Sequence, residues 1–319
     1  MLSWNTSIVR QPALLLLLLF TLQTAQSPTR VAARITDTTV ALSVPDTTAP
    51  LDAQVSPTML DKAVKHRRAL PKGQQSASRI MFSDDFNGST VNATRWGFDL
   101  GDGCDRGICG WGNEEKQLYV REAATCVDGH LRITALRDPK RPGFWTSARV
   151  STKDTFTFLY GRIDVRARMP TLDGAFGAIW LLPVENAYGP WPKSGEIDVV
   201  EAQSIWKGRF RPERSRTPGT LHFAKHFNGD SLSYWAEGND PSQWHTYTTI
   251  WRPDGIFYEI DGRSLGGYRP PTQHPDDWPF NKAFYLTMNL AIDPKFGSKA
   301  SPKVNQMTMD VDWIRVSKL

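Results

Sequence analysis

Three carboxylates fall within six residues of the apolar, β-branched run Gly195-Glu196-Ile197-Asp198-Val199-Val200-Glu201. Ile197, Val199 and Val200 favour a strand. In a regular strand Glu196 and Asp198 share a face, and Glu201 turns to the other. A β-bulge at Val199 or Val200 absorbs one residue and returns Glu201 to the face of the other two acids, so the spacing predicts a bulged strand. Glu196 and Glu201 then stand about 13 Å apart at the backbone, at ~3.3 Å per residue. On a concave strand, two inward-leaning Glu side chains bring their carboxyls to about 5–5.5 Å, the separation for double-displacement glycoside hydrolysis. Asp198 lies between them. Carboxyls this close cannot all ionise freely, so at least one proton stays on the cluster near neutral pH. One group then serves as nucleophile and another as acid. An acidic strand face meeting water is the plainer reading of a lone Glu-x-Asp. The third acid and the flanking aromatics favour a catalytic cluster.

The elements that must position these acids are short β-rich runs beginning near Arg79. They include Leu131 to Leu136, Gly161 to Met169, Ala178 to Leu182, Ile197 to Glu201, Trp244 to Trp251, Ile256 to Ile260, Ala283 to Ala291 and Met307 to Val316. Gly, Pro, Asn and Asp punctuate them, and no long helical period or internal repeat interrupts. The pattern predicts an all-β sandwich or barrel of about 240 residues. Gly219 to Phe223 adds a short strand with His222, whose expected contact is a sugar hydroxyl or Asp198. Arg162, Asp164, Arg166 and Arg168 share one face by period two; that is ordinarily a solvated face, with Arg166 the weak candidate to reach a substrate. Trp191, close in sequence to the acids, is expected to raise the acid's pKa by desolvation and to floor the site. Glycines around Trp111 permit an unusual backbone that would expose its indole beside a groove, although burial in a tight loop is as good a reading.

The 319 residues are 40% hydrophobic and 22% charged, enough for one sizeable domain with appendages. A net charge of +5 without an aromatic-interleaved basic patch argues against a nucleic-acid partner. Twelve Trp offer flat apolar platforms, some for the core and some for sugar rings. The apolar run Ala13 to Leu22 behind Arg10 reads as a secretory signal, too short to span a bilayer, with cleavage near Ala25 or Gln26. The expected organisation is a signal peptide (1–26), a disordered Thr/Pro/Ala-rich linker or pro-segment (27–78), and a catalytic domain (79–319). The linker carries candidate O-glycan threonines (Thr38, Thr39, Thr47, Thr48) and a basic Lys65-His66-Arg67-Arg68 cluster. Export fits the three cysteines: Cys104 and Cys109 close a small loop, or Cys126 pairs with either. It also fits the glycan acceptors Asn87-Gly-Ser and Asn92-Ala-Thr.

From about Met81 to Val316 the chain resembles glycoside hydrolase family 16, in its laminarinase-like (endo-β-1,3-glucanase) branch. The motifs are Phe82-Ser-Asp-Asp-Phe-Asn-Gly, Gly110-Trp-Gly-Asn-Glu-Glu, Ala178-Ile-Trp-Leu-Leu-Pro, Trp191-Pro-Lys-Ser-Gly-Glu-Ile-Asp-Val-Val-Glu, Gly219-Thr-Leu-His and Val311-Asp-Trp-Ile-Arg-Val. The resemblance implies a β-jelly roll of two antiparallel sheets, the concave one forming an open polysaccharide groove. It implies Glu196 as nucleophile, Glu201 as acid/base and Asp198 as assistant, with Trp111, Asn113, Trp180, Trp191, His222 and Asn289 along the groove. No cofactor is expected for catalysis. A structural calcium is implied at Asp312, with backbone of Asp85 and Gly129. One departure is Ile292-Asp-Pro-Lys-Phe-Gly, where similar enzymes have a Gly-rich loop; another is the Arg-rich segment Trp206 to Pro218.

The expected function is therefore a secreted, retaining endo-hydrolase of β-1,3-glucan, monomeric and free of the membrane once its signal is removed. The alternatives are a β-glucan transglycosylase, a galactan-directed hydrolase, and a non-catalytic β-glucan-recognition protein, which would typically lack one or more of the acids.

Overall fold

In the computed structural model, the described residues are 79–203, 217–227 and 230–319. The signal and linker expectations (1–78), and all of the Arg-rich segment but Thr217 and Pro218, lie outside them.

The described residues fold into strands β1 (Ile80–Asp84), β2 (Gly97–Asp99), β3 (Gln117–Tyr119), β4 (Ala124–Val127), β5 (His130–Arg137) and β6 (Trp145–Ser147). They continue as β7 (Arg149–Ser151), β8 (Gly161–Arg168), β9 (Ala175–Pro183), β10 (Glu196–Gln203), β11 (Gly219–His222) and β12 (Leu232–Tyr234). The last are β13 (His245–Arg252), β14 (Gly255–Ile260), β15 (Arg263–Tyr268), β16 (Phe284–Ile292) and β17 (Gln306–Ser317). All eight runs named above recur, with small changes at their ends.

One sheet runs β12-β11-β10-β9-β16-β7-β2. The other runs β15-β14-β13-β8-β17-β5-β6-β3, with β1 also paired to β17 and β4 to β5. Every named pairing is antiparallel except β3 with β6. The core lies between the sheets, where Ile179, Leu181, Ile197, Val200, Leu286 and Met288 of the first meet Ile163, Val165, Ala167, Trp251, Val311 and Ile314 of the second. Alternation sends the opposite side chains outward. On β16 even these are covered: all nine of its residues are buried.

Alternation on β8 corrects the reading of Arg166. Ile163, Val165 and Ala167 turn into the core, so Arg166 faces away from it on the sheet that does not carry the acids. There its guanidinium covers the Trp244 ring at 5.0 Å and donates to the Asp312 carboxylate. Arg166 is thus a structural residue of the outer sheet, not a groove residue. The same pair bears on the calcium expectation, because Asp312, the one carboxylate in that set, is already paired with a guanidinium.

Of the open disulfide pairings, the structure adopts Cys104–Cys109 and leaves Cys126 half-buried and free. Asn87 and Asn92 of the two acceptor sequences are exposed.

Candidate active site

The bulge is present and sits at Val199. Against β9, Asp198 opposes Trp180 while Val200 already opposes Ile179, so the register slips by one residue between them. Ile197, Val200 and Ala202 therefore all point into the core at 0% exposure, and Glu196, Asp198 and Glu201 emerge together into one cavity. Gly195, just before Glu196, has φ 87, and a Cβ there would come within 2.8 Å of the Phe280 ring. Only glycine enters the strand this way.

The cavity, about 810 Å³, is an open groove across the sheet of β10. Cross-strand neighbours explain its floor: Glu201 opposes Ala178, Ala178 opposes Asn289, and Asn289 opposes Arg149. On the other side Glu196 opposes His222. Small Ala178 leaves room above the sheet between the acids and the polar pair. Trp180 donates to Asn289 Oδ1 at 2.7 Å, and Asn289 Nδ2 donates to the Tyr119 hydroxyl at 3.0 Å. Tyr119 in turn reaches Glu115, whose carboxylate also accepts from Gln117 at 2.6 Å and Asn113 at 3.2 Å. This chain of bonds fixes the indole of Trp180 from beneath. Arg149 is stacked 4.6 Å from Trp111 and 4.8 Å from Trp180, and its charge meets buried Asp99 at 3.0 Å.

Burial and neighbouring charge disfavour ionisation of the acids. Burial first, then the charge of Asp198, pushes the Glu196 carboxyl from its ordinary 4.5 up to about 8. Burial and the Glu201 charge hold Asp198, 1% exposed, well above the usual carboxylate range. Burial also raises Glu201, opposed by His222 and the Thr220 hydroxyl. The trio therefore retains protons near neutrality as a coupled set. Asp198 and Glu196 share a hydrogen bond. His222 Nε2 lies 3.4 Å from Asp198 Oδ2, the Asp198 contact anticipated for it. Glu196, Asp198 and His222 each place one ligand-type atom within 4.8 Å of the others, the metal-like cluster found among the described residues, and it coincides with the acids themselves.

One expectation about tryptophans changes, and one open reading is decided. Trp191 is 48% exposed and donates Nε1–H to Glu196 Oε2 at 2.8 Å, which lowers that carboxyl's pKa rather than raising it. The upward push comes from burial within the sheet and from the other acids. Trp111 itself carries the unusual backbone, φ 52, yet its ring is only 7% exposed, tucked beneath Arg149 and bonded to the Gly101 carbonyl at 3.2 Å.

Trp111, Asn113, Trp180, Trp191, His222 and Asn289 all line the groove with the three acids. Asn289, however, is 5% exposed and spends its amide on Trp180 and Tyr119, so it positions the indole. Sequence reasoning missed Glu115, Arg149, Phe176, Trp235, Lys295 and Phe296, which also line the groove. Glu115, Lys295 and Phe296 sat inside segments already singled out. Arg149 belongs to a three-residue strand whose pattern carries no alternation to read.

The profile of glycosyl hydrolases family 16 matches residues 112–315. The chain is 33% identical over 267 residues to glucan endo-1,3-beta-glucosidase A1 of Niallia circulans, covering 75% of this chain and 38% of that longer protein. It is 32% identical over 259 residues to the beta-glucanase of Rhodothermus marinus, covering 74% of this chain and 84% of that one. The crystal structure of laminarinase from Flavobacterium sp. UMI-01 superposes with a TM-score of 0.66 at 28% identity, over 75% of this chain and 100% of its own. That likeness bears out the jelly-roll sandwich.

Proposed function

The chain belongs to glycosyl hydrolases family 16, and from that premise we propose that it is an exported, endo-acting hydrolase of β-1,3-glucan working with net retention. The observation that carries the reading is the bulge at Val199, which delivers two glutamates and an aspartate to one face of an aromatic-lined groove. Export rests on the apolar run Ala13 to Leu22. The β-1,3-glucan preference rests on what the relatives act on.

In the proposed reaction Glu196 attacks the anomeric carbon while Glu201 gives its proton to the departing glycosidic oxygen. Glu201 then takes a proton from water, whose oxygen replaces the Glu196 ester at the anomeric carbon. The two inversions restore the starting configuration. The productive state needs Glu196 ionised with the proton kept on Glu201, one microstate of the coupled trio. The Trp191 N–H favours charge on Glu196, whereas the hydrogen bond between Glu196 and Asp198 favours charge on Asp198. As the Glu196 charge disappears into the ester and returns, Asp198 is placed to adjust its own proton affinity.

Proton NMR of the first products from soluble β-1,3-glucan tests the reading. β-Anomers should appear first, and Glu196→Gln should yield none while staying folded. α-Anomers appearing first would refute retention. Products longer than the substrate would point to a transglycosylase, and binding without cleavage to a recognition protein. With neither, galactans become the substrates to try.

A further inference from the structure

The segment 293–300, Asp293-Pro-Lys-Phe-Gly-Ser-Lys-Ala, forms part of the groove wall through Lys295 and Phe296. Phe296 is 47% exposed, and its ring meets Phe176 edge-on at 5.3 Å, leaving a face uncovered. An exposed aromatic on a loop is ordinarily unremarkable. This loop, though, is pinned at several points. Asp293 N–H donates to the Gly174 carbonyl at 2.8 Å, and Asp293 Oδ1 accepts from Ala300 N–H at 2.6 Å. Lys299 Nζ donates to the Asp293 carbonyl at 2.8 Å, and Gly174 N–H to the Ser298 hydroxyl at 3.2 Å. Lys295 N–H donates to the Asn113 carbonyl at 2.8 Å, tying the loop to the groove segment that carries Trp111. The fold thus holds a large apolar face open beside the acids instead of burying it, which is what a preorganised binding platform requires. Register places it: Phe176 is level with Gln203, past Glu201 on the side away from Glu196. It therefore stands off the reacting bond.

We propose that Phe296, backed by Phe176, is a stacking platform for a pyranose ring outside the cleavage point, with the Lys295 ammonium meeting that sugar's hydroxyls. The platform makes affinity depend on chain length. It rests on the glucan reading above, and the test separates the two.

The experiment measures binding of β-1,3-gluco-oligosaccharides of increasing length to the full chain carrying Glu196→Gln, with and without Phe296→Ala or Phe296→Trp, alongside kcat/KM in the wild-type background and each Tm. Phe296→Ala should weaken long oligosaccharides about tenfold, acting through KM and sparing the shortest ligands. Phe296→Trp should restore the loss. Equal binding with and without the ring at every length, or a loss uniform across lengths, would overturn the platform. Length-dependent loss in a protein whose wild type cleaves nothing would leave the platform standing and remove the hydrolase reading.

Discussion

Replacing Glu196 by Gln should stabilise the fold while abolishing turnover, and the gain should depend on pH. Burial and Asp198 push Glu196 from 4.5 to about 8, so the folded protein holds a proton that the unfolded chain releases. Where the native state binds more protons, stability falls as pH rises. The cost is absent below about pH 4.5, grows through the interval, and is complete above about pH 8. At about 1.4 kcal/mol per pH unit the ceiling is about 5 kcal/mol. Glu196 is half-buried on a wet groove and shares protons with its neighbours, which reduces the figure to about 2 kcal/mol. Gln keeps the shape and the acceptor for Trp191 without the ionisation.

For a domain of this size, about 2 kcal/mol corresponds to a Tm gain of about 4–8 °C. Thermal unfolding of wild type and Glu196→Gln across pH 4 to 8.5 measures it. The two curves should coincide at the acid end and diverge toward pH 8. A constant offset across pH, or a variant less stable at pH 8, would refute the argument that the acids are held against their ionisation.

Other perturbations test the supports around the acids. Asn289→Ala should unlatch Trp180 and leave the buried Tyr119 hydroxyl with Glu115 alone, lowering stability by about 1–3 kcal/mol in urea melts and kcat/KM by at least tenfold, whereas Asn289→Gln should restore neither. Arg149→Met should cost about 2 kcal/mol, short of the full penalty for a buried unpaired charge, because Arg106 also meets Asp99 at 2.8 Å. Gly219→Ala should destabilise by at least about 2 kcal/mol, since the new Cβ would fall 2.2 Å from the buried Tyr258 ring; it should also disturb His222 on the same strand. His222→Asn, assayed as a pH profile of kcat/KM, should move the limbs toward higher pH, because His222 lowers Glu196 and Glu201.

What sequence reasoning reached, and what escaped it, follows from how far each feature reaches along the chain. The bulge needed only local counting, since three acids among β-branched residues make sense on one face only if one residue is absorbed. His222 and the acids sit on neighbouring strands, and the contact with Asp198 came with that pairing. Arg166 misled because an alternating strand announces two faces without naming the sheet it joins. Its place was settled by pairing with β17, some 150 residues away, where Asp312 waits. Trp111 was left open between an exposed and a buried ring: glycines signalled an unusual backbone, and the choice was made by Arg149, which covers the ring from a strand too short to predict.

The same contrast explains why the groove holds its shape. Three aromatics of the groove are held in place: Trp180 by Asn289 far along the chain, Phe296 through the bonds tying its loop to Gly174 and Asn113, and Trp191 by Glu196 at the start of the strand. Flat apolar surfaces left open to water are costly unless something binds them. Here they are both open and immobilised, and the acids beneath them are kept partly protonated by burial. A polymer laid across this surface would cover the rings and expel water from above the acids, strengthening every charge effect among them when the bond is to be cut. Binding along the chain and proton placement at the bulge are therefore one device. A change that loosens an aromatic far from Glu201 should show first in the dependence of rate on substrate length, before it shows in the fold.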